Sequence, residues 1–123
     1  MEKNASISNT KSFVKAQRLL TPRAFKQVFD APERKVHQAH LMAFVRTNEL
    51  AHARLGMAIT KRKVPTAVMR NKLKRHIREH FRNYTINLKN NDIVFIVKKP
   101  INELSNKEID LEIFNILKKL KIK

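Results

Sequence analysis

The sequence predicts an α+β fold, a two-layer sandwich of order α-β-β-α-β-α. Three observations predict it. Apolar residues recur every three or four positions in three segments, as in helices with one buried face. Three shorter segments alternate or run apolar without a break, as strands do. Finally, 123 residues with 42% hydrophobic content suffice for one modest core.

Residues 1–12 are polar and basic, with Asn4, Ser6, Ser8, Asn9, Thr10, Lys11 and Ser12, and read as a mobile tail. Residues 13–123 then form a single domain. The first helix is signalled at Thr21-Pro22: Thr21 can cap the free amides, and Pro22 suits the first helical position, where its missing N–H costs nothing. Phe25, Val28 and Phe29 share a face, and Asp30-Ala31-Pro32 ends the helix.

His40 to Arg46 alternates, placing Leu41, Ala43 and Val45 on one side and His40, Met42, Phe44 and Arg46 on the other. Thr47-Asn48-Glu49 reads as a turn. Arg54 to Thr60 alternates through Leu55, Met57 and Ile59 and contains Gly56, the only glycine. A lone glycine inside a strand suggests a bulge or the close approach of another backbone.

After Lys61-Arg62-Lys63 and the break at Pro65, Thr66 can cap a helix running to about Tyr84. Its buried stripe is Met69, Leu73, Ile77 and Phe81. Asp92 to Lys98 is apolar enough to be a strand buried on both faces. Ser105 with Glu108 makes a capping box for a last helix burying Ile109, Ile113, Phe114, Ile116, Leu117 and Leu120. Its lysines fall toward the C-terminal end, where the helix dipole favours them.

The chain carries 27 Lys and Arg against 10 Asp and Glu, a formal net charge of +17. A fold does not need that charge, and its self-repulsion is a cost that a polyanionic partner would offset. Nucleic acid is the first candidate and an anionic membrane surface the second. With no cysteine, thiolate metal sites and disulfides are excluded. The longest apolar stretches, Leu41 to Val45 and Ile93 to Val97, are too short to span a bilayer. The first residues lack the layout of a secretory signal, so a cytoplasmic location is expected.

Nine basic residues lie between Lys61 and Arg82, with Glu79 the only acid among them. Asn71, Arg75, Arg78 and Arg82 follow i, i+4, i+7, i+11 and stack along one helix face, away from the apolar stripe. Guanidinium forks match phosphate oxygens, and Asn can donate to and accept from a sugar or base edge. Ordinary solvated faces mix signs; this one barely does. RNA is expected as the partner, and neither DNA nor a membrane. No second helix precedes the basic one at the short spacing of a helix-turn-helix.

Aromatic residues can stack on unpaired bases. Phe81, Phe95 and Phe114 occupy core positions. Phe25 and Phe29 are ambiguous, and periodicity alone favours core. Phe44 shares its strand face with His40 and Arg46, a mixture of aromatic and cation suited to single strands. His76-Ile77-Arg78-Glu79-His80 matches the H-x-x-E-H pattern of inverted zinc peptidases. The surrounding arginines oppose a dication and no third ligand is evident, so the match is attributed to chance. No paired carboxylates, thiol nucleophile or glycine-rich phosphate loop emerge, so no catalytic residues are expected in the chain itself.

Arg70-Asn71-Lys72-Leu73-Lys74-Arg75-His76-Ile77-Arg78-Glu79 closely resembles the Arg-Asn-Arg signature helix of the bacterial ribonuclease P protein subunit. Arg18-Leu19 followed by Phe25 and Val28-Phe29, then Arg54-Leu55-Gly56 with Thr60-Lys61-Arg62, then Asp92-Ile93-Val94 resemble its flanking elements in the expected order. The likeness covers roughly residues 13 to 120.

This resemblance implies a small, mainly antiparallel sheet with a left-handed β-α-β crossover, where general rules favour the right-handed one. It implies an endoribonuclease subunit of tRNA processing. In that ribonucleoprotein the RNA cuts the 5′ leader from precursor tRNA using Mg2+, and the protein itself binds no cofactor. Arg70, Asn71, Lys72, Lys74, Arg75 and Arg78, with Arg82, Lys61, Arg62 and Lys63, would face the catalytic RNA. Phe25, Phe29 and Phe44, with Arg46, would line a cleft for the leader. Lys72 stands where the signature has its second Arg, keeping charge but not the bidentate fork. Val64-Pro65-Thr66 replaces the Gly-Asn that many members carry before the helix. The alternative is a ribosomal or other structural RNA-binding protein with no role in tRNA processing.

Overall fold

The computed structural model describes residues 20–48, 50, 52–84 and 91–121. The tail expected over residues 1–12 lies outside them, as do Phe13, Arg18, Leu19 and Glu49. The elements are α1 (Pro22–Asp30), β1 (Arg34–His37), β2 (Leu41–Thr47), β3 (Arg54–Ala58), α2 (Ala67–Tyr84), β4 (Asn91–Val97) and α3 (Asn106–Lys121). The fold is the expected α+β, with one strand more than the sequence suggested. That strand, β1, is four residues with a single apolar member, Val36, too short and polar to signal itself.

The helix starts are fixed by the anticipated local hydrogen bonds. Thr21 Oγ1 accepts from the Ala24 amide at 3.1 Å, and Thr66 Oγ1 from the Met69 amide at 3.2 Å. At α3 the capping box closes in both directions: Ser105 Oγ accepts from the Glu108 amide at 3.1 Å, and Glu108 Oε1 from the Ser105 amide at 2.8 Å.

The four strands lie in the order β1-β2-β4-β3. β2 pairs antiparallel with β1 and with β4, whereas β3 pairs parallel with β4 in the register Gly56↔Val94. A parallel pair cannot be joined by a tight turn, and α2 is the crossover connecting it. At one end of this pair Asp92 is buried and takes two hydrogen bonds from Arg54, Nε to Oδ1 and Nη2 to Oδ2, both at 2.9 Å. Asn48 Nδ2 adds a third at 2.7 Å. A bidentate, fully hydrogen-bonded pair is what makes a buried carboxylate tolerable, and Asp92 in turn holds the Arg54 pKa above its ordinary value.

Alternation along the strands separates two faces. Leu41, Ala43, Val45, Leu55, Ile93, Phe95 and Val97 meet Leu73, Ile77 and Phe81 of α2 and Ile109, Ile113, Ile116, Leu117 and Leu120 of α3 in one core. These are the two principal layers. The opposite face, with Met42, Phe44, Gly56 and Val94, receives α1 through buried Ala24 and Val28. Because helices cover both sides of β4, Ile93 and Val94 are both buried, as its unbroken apolar run predicts.

Three details differ from expectation. Phe114 is not core: the inward stripe of α3 runs through Ile113, Ile116 and Leu117, and Phe114 sits outside it, 38% exposed. His40 does not share the Phe44 face. It precedes β2 and turns to α3, where its Nδ1 lies 2.7 Å from Glu112 Oε2. Gly56 makes no bulge, and what approaches it is a side chain: a Cβ there would lie 2.9 Å from Phe25 Cδ2.

Candidate nucleic-acid interface

Helix α2 is anchored by Leu73, Ile77 and Phe81, which leaves its basic residues on the outside. Asn71 and Arg75 are exposed, and Lys72, Lys74, Arg78 and Arg82 are half-buried along the flanks. No acid occupies the first turn. Arg70, at the end of that first turn, therefore opposes the helix dipole near its positive end, a cost that a bound anion would relieve.

Three of the basic residues also serve the fold. Arg70 Nη1 donates to the carbonyls of Val64 and Pro65, both at 2.9 Å. Together with Val64, which is fully buried, this fixes the Val64-Pro65-Thr66 loop before the helix. Lys63 Nζ donates to the Lys98 carbonyl at 2.7 Å, and Arg82 Nη2 to Glu79 Oε1 at 2.6 Å. Lys61 and Arg62 are exposed beside the helix start.

The two histidines of the H-x-x-E-H run point along α2 toward α3. Asp110 Oδ1 accepts from His76 Nδ1 at 2.7 Å and from His80 Nε2 at 3.1 Å. Partial burial pushes the Asp110 carboxyl up, but the two imidazole hydrogen bonds outweigh it and hold its pKa below the ordinary value. The spacing that imitates a zinc motif is thus a helix–helix clamp. Among the described residues, no group of three or more His, Cys, Asp or Glu is arranged to hold a metal ion.

On the other side of the sheet, Phe25, Phe29 and Phe44 form a continuous aromatic strip. Phe25 and Phe29 lie near parallel with centroids 6.2 Å apart, and Phe29 meets Phe44 at 5.4 Å and 57°. Phe25 is half-buried over Gly56, while Phe29 is 46% exposed. Periodicity favoured core for this pair; instead the buried stripe of α1 is Ala24 and Val28, one position earlier. Arg46 closes one wall by donating from Nη1 to the Ala31 carbonyl at 2.8 Å. Lys35, which the sequence reading passed over, places its Nζ 5.5 Å from the Phe44 centroid. The only signal for it was Lys35 and His37 alternating with Val36 in the missed strand.

The fold and these surfaces define a class: a small, strongly basic α+β protein with a cationic helix on one side of its sheet and an aromatic cleft on the other. The ribonuclease P family model matches residues 13–121. The ribonuclease P protein component of Psychrobacter sp. is 53% identical over 108 residues, covering 88% of this chain and 83% of that protein. Its counterpart from Stutzerimonas stutzeri is 41% identical over 111 residues, covering 90% and 85%. Among solved structures, the RNase P protein of Staphylococcus aureus superposes with TM-score 0.77 at 28% identity, covering 88% of this chain and 98% of that one. That of Thermotoga maritima gives 0.70 at 30% identity, covering 84% and 96%. The chain belongs to the ribonuclease P protein family. Such a protein is a subunit of a tRNA-processing ribonucleoprotein endonuclease whose partner is ribonuclease P RNA.

Proposed function

We propose that the two faces of this chain divide the work: α2 docks on the catalytic RNA, and the aromatic strip holds the 5′ leader of precursor tRNA. The observation that supports this is the placement of two chemically different surfaces, a cationic helix and an aromatic strip, on opposite sides of one sheet. Asn71, Lys72, Lys74, Arg75, Arg78 and Arg82, with Lys61 and Arg62, supply charge and forks for a structured RNA. Arg70 and Lys63 hold the loop that presents them. Phe25, Phe29 and Phe44 offer faces on which unpaired bases stack, and Arg46 and Lys35 supply charge for the leader's phosphates.

Bond cleavage is assigned to the RNA, which would hold the Mg2+ ions; the chain contributes binding and orientation. Among the described residues no helix is long and apolar enough to cross a membrane, and the cytoplasm, where tRNA precursors are made, is the proposed location.

The test is reconstitution with a bacterial ribonuclease P RNA at low Mg2+. The chain should raise cleavage of precursor tRNA, and its contribution to substrate affinity should fall as the leader is shortened. No gain at any leader length would overturn the reading. A gain indifferent to leader length would remove the cleft from it and leave only the RNA-docking helix.

A further inference from the structure

The aromatic strip crosses the sheet and ends at one of its edges. The pairing register sets Gly56, Val94, Phe44 and Lys35 in a single row across β3, β4, β2 and β1. Phe25 lies over the Gly56 end of this row, and Phe29 meets Phe44. The row closes on the Lys35 ammonium, 5.5 Å from the Phe44 centroid. β1 is the outer strand, so beyond Lys35 the surface turns over the edge of the sheet.

That edge is cationic. A groove of about 460 Å³ runs along it, lined by Arg34, Lys35, Val36, His37 and Lys119. Alternation puts Lys35 and His37 on the Phe44 side, about 7 Å apart. Arg34 and Val36 face α3, and Arg34 Nη2 donates to the Lys119 carbonyl at 3.1 Å. This bond ties β1 to the last turn of α3 and leaves the Lys119 side chain exposed. Lys98, just past β4, holds its Nζ 3.4 Å from His37 Nδ1. An ammonium can only donate, so in this contact the ring keeps its hydrogen on Nε2, a donor for an outside acceptor.

Among the described residues no acid lines the groove. Glu33, just before β1, accepts from the Thr47 amide at 3.0 Å and the Thr47 hydroxyl at 2.7 Å. Lysine on an edge strand deters pairing with another chain, but that purpose does not need Lys98 and Lys119, which stand on other segments. The concentration of charge selects a polyanion. The opposite end of the row lies at β3, whose chain runs on through Lys61-Arg62-Lys63 into the basic helix α2. A strand lying on the aromatic strip thus has one end toward α2 and the other at the β1 edge.

We propose that the β1 edge is a phosphate-binding groove for the part of the leader farthest from the cleavage site. Lys35, Lys98 and Lys119 take its phosphates, and His37 Nε2 donates to one of them. Bases stack on Phe29 and Phe44 while the backbone passes over the edge, the division of labour by which single strands are held. The proposal rests on the reading that the aromatic strip holds the leader, and it adds where the strand goes on leaving the strip.

The experiment measures precursor tRNA affinity of the holoenzyme, reconstituted with a bacterial ribonuclease P RNA, for a long-leader precursor and a series truncated from the 5′ end. The proteins are wild type, Lys119→Gln, His37→Ala/Lys119→Gln and Phe29→Ala. Lys119→Gln keeps the carbonyl that Arg34 binds. It should lower the salt slope of long-leader binding by about 0.7, the share of one phosphate contact on a single strand. The double variant changes two exposed side chains, so its urea unfolding should match wild type. It should weaken long-leader binding roughly 10-fold and leave the shortest precursor at wild-type affinity. Wild-type affinity and salt slope for long leaders in both groove variants, with Phe29→Ala weakened, would overturn the edge groove alone. An equal loss on long and truncated leaders would assign these residues to another part of the complex and overturn it as well. No effect of Phe29→Ala at any leader length would overturn the reading of the strip, and the groove with it.

Discussion

At Gly56 a Cβ would come within 2.9 Å of both Phe25 Cδ2 and Leu20 Cδ1. The glycine is required for room, since its neighbours in β3 pair regularly with β4. Gly56→Ala should therefore displace the Phe25 ring, costing about 1 kcal/mol in urea unfolding and weakening discrimination between precursor and mature tRNA. Unaltered discrimination would show that the ring's seat does not shape the cleft. Asp110 offers a second residue-scale test. Its carboxyl titrates lower in the folded chain than the value near 3.9 expected when unfolded. Its contribution is therefore full above the unfolded value and disappears as pH falls through the folded one. Asp110→Asn should cost under about 1 kcal/mol at pH 7, since the carboxylate is partly solvated. The gap from wild type should narrow as pH falls below the unfolded value and through the lower, folded one. A gap independent of pH would mean that the hydrogen-bond geometry, and not the charge, matters.

Helix α2 and helix α1 put the separation of surfaces at the scale of elements. Arg75→Ala should weaken binding of the catalytic RNA severalfold while leaving precursor discrimination intact, because Arg75 is exposed on the side of α2 away from its core stripe. Phe29→Ala should do the reverse. Equal effects of both changes on both measurements would undo the division. These elements also show where sequence reasoning stops. The caps at Thr21, Thr66 and Ser105 were legible because each is a hydrogen bond spanning three residues. The buried stripe of α2 was legible from its four-residue period. The environment of Phe25 and Phe29 was not, because it depends on which face of the sheet α1 covers. The family resemblance pointed to the cleft where periodicity pointed to the core. The partnership of His76 and His80 with Asp110 spans 34 and 30 residues, and no local pattern announces it. Phe114 was misplaced because a helix with several apolar residues per turn does not say which of them lies at the edge of its stripe.

For the whole molecule, a net charge of +17 on a chain of this size makes RNA affinity strongly dependent on salt. If six or more phosphates are contacted, binding of the catalytic RNA should fall by roughly 10³-fold or more between 50 and 200 mM salt. A flat response would remove the basic helix as the principal binding element. The charge and the fold class were readable from composition and periodicity. The fourth strand was not, and neither was the bidentate Arg54–Asp92 pair that ties the parallel strands together, since its partners lie 38 residues apart.

The strand order has a consequence for how the chain acquires its structure during synthesis. β4 is an inner strand of the sheet, yet it is the penultimate element to leave the ribosome. Its pairing with β2 joins residues 44 to 56 positions apart, and both β3 and the hydrophobic side of α2 depend on it for their backing. Loops of that length must close before either is rewarded, which slows folding. A nascent chain ending at residue 90 should thus be unfolded by circular dichroism and quickly cleaved by protease. The basic helix would meet its RNA as a stable element only after Asn91 to Val97 has emerged.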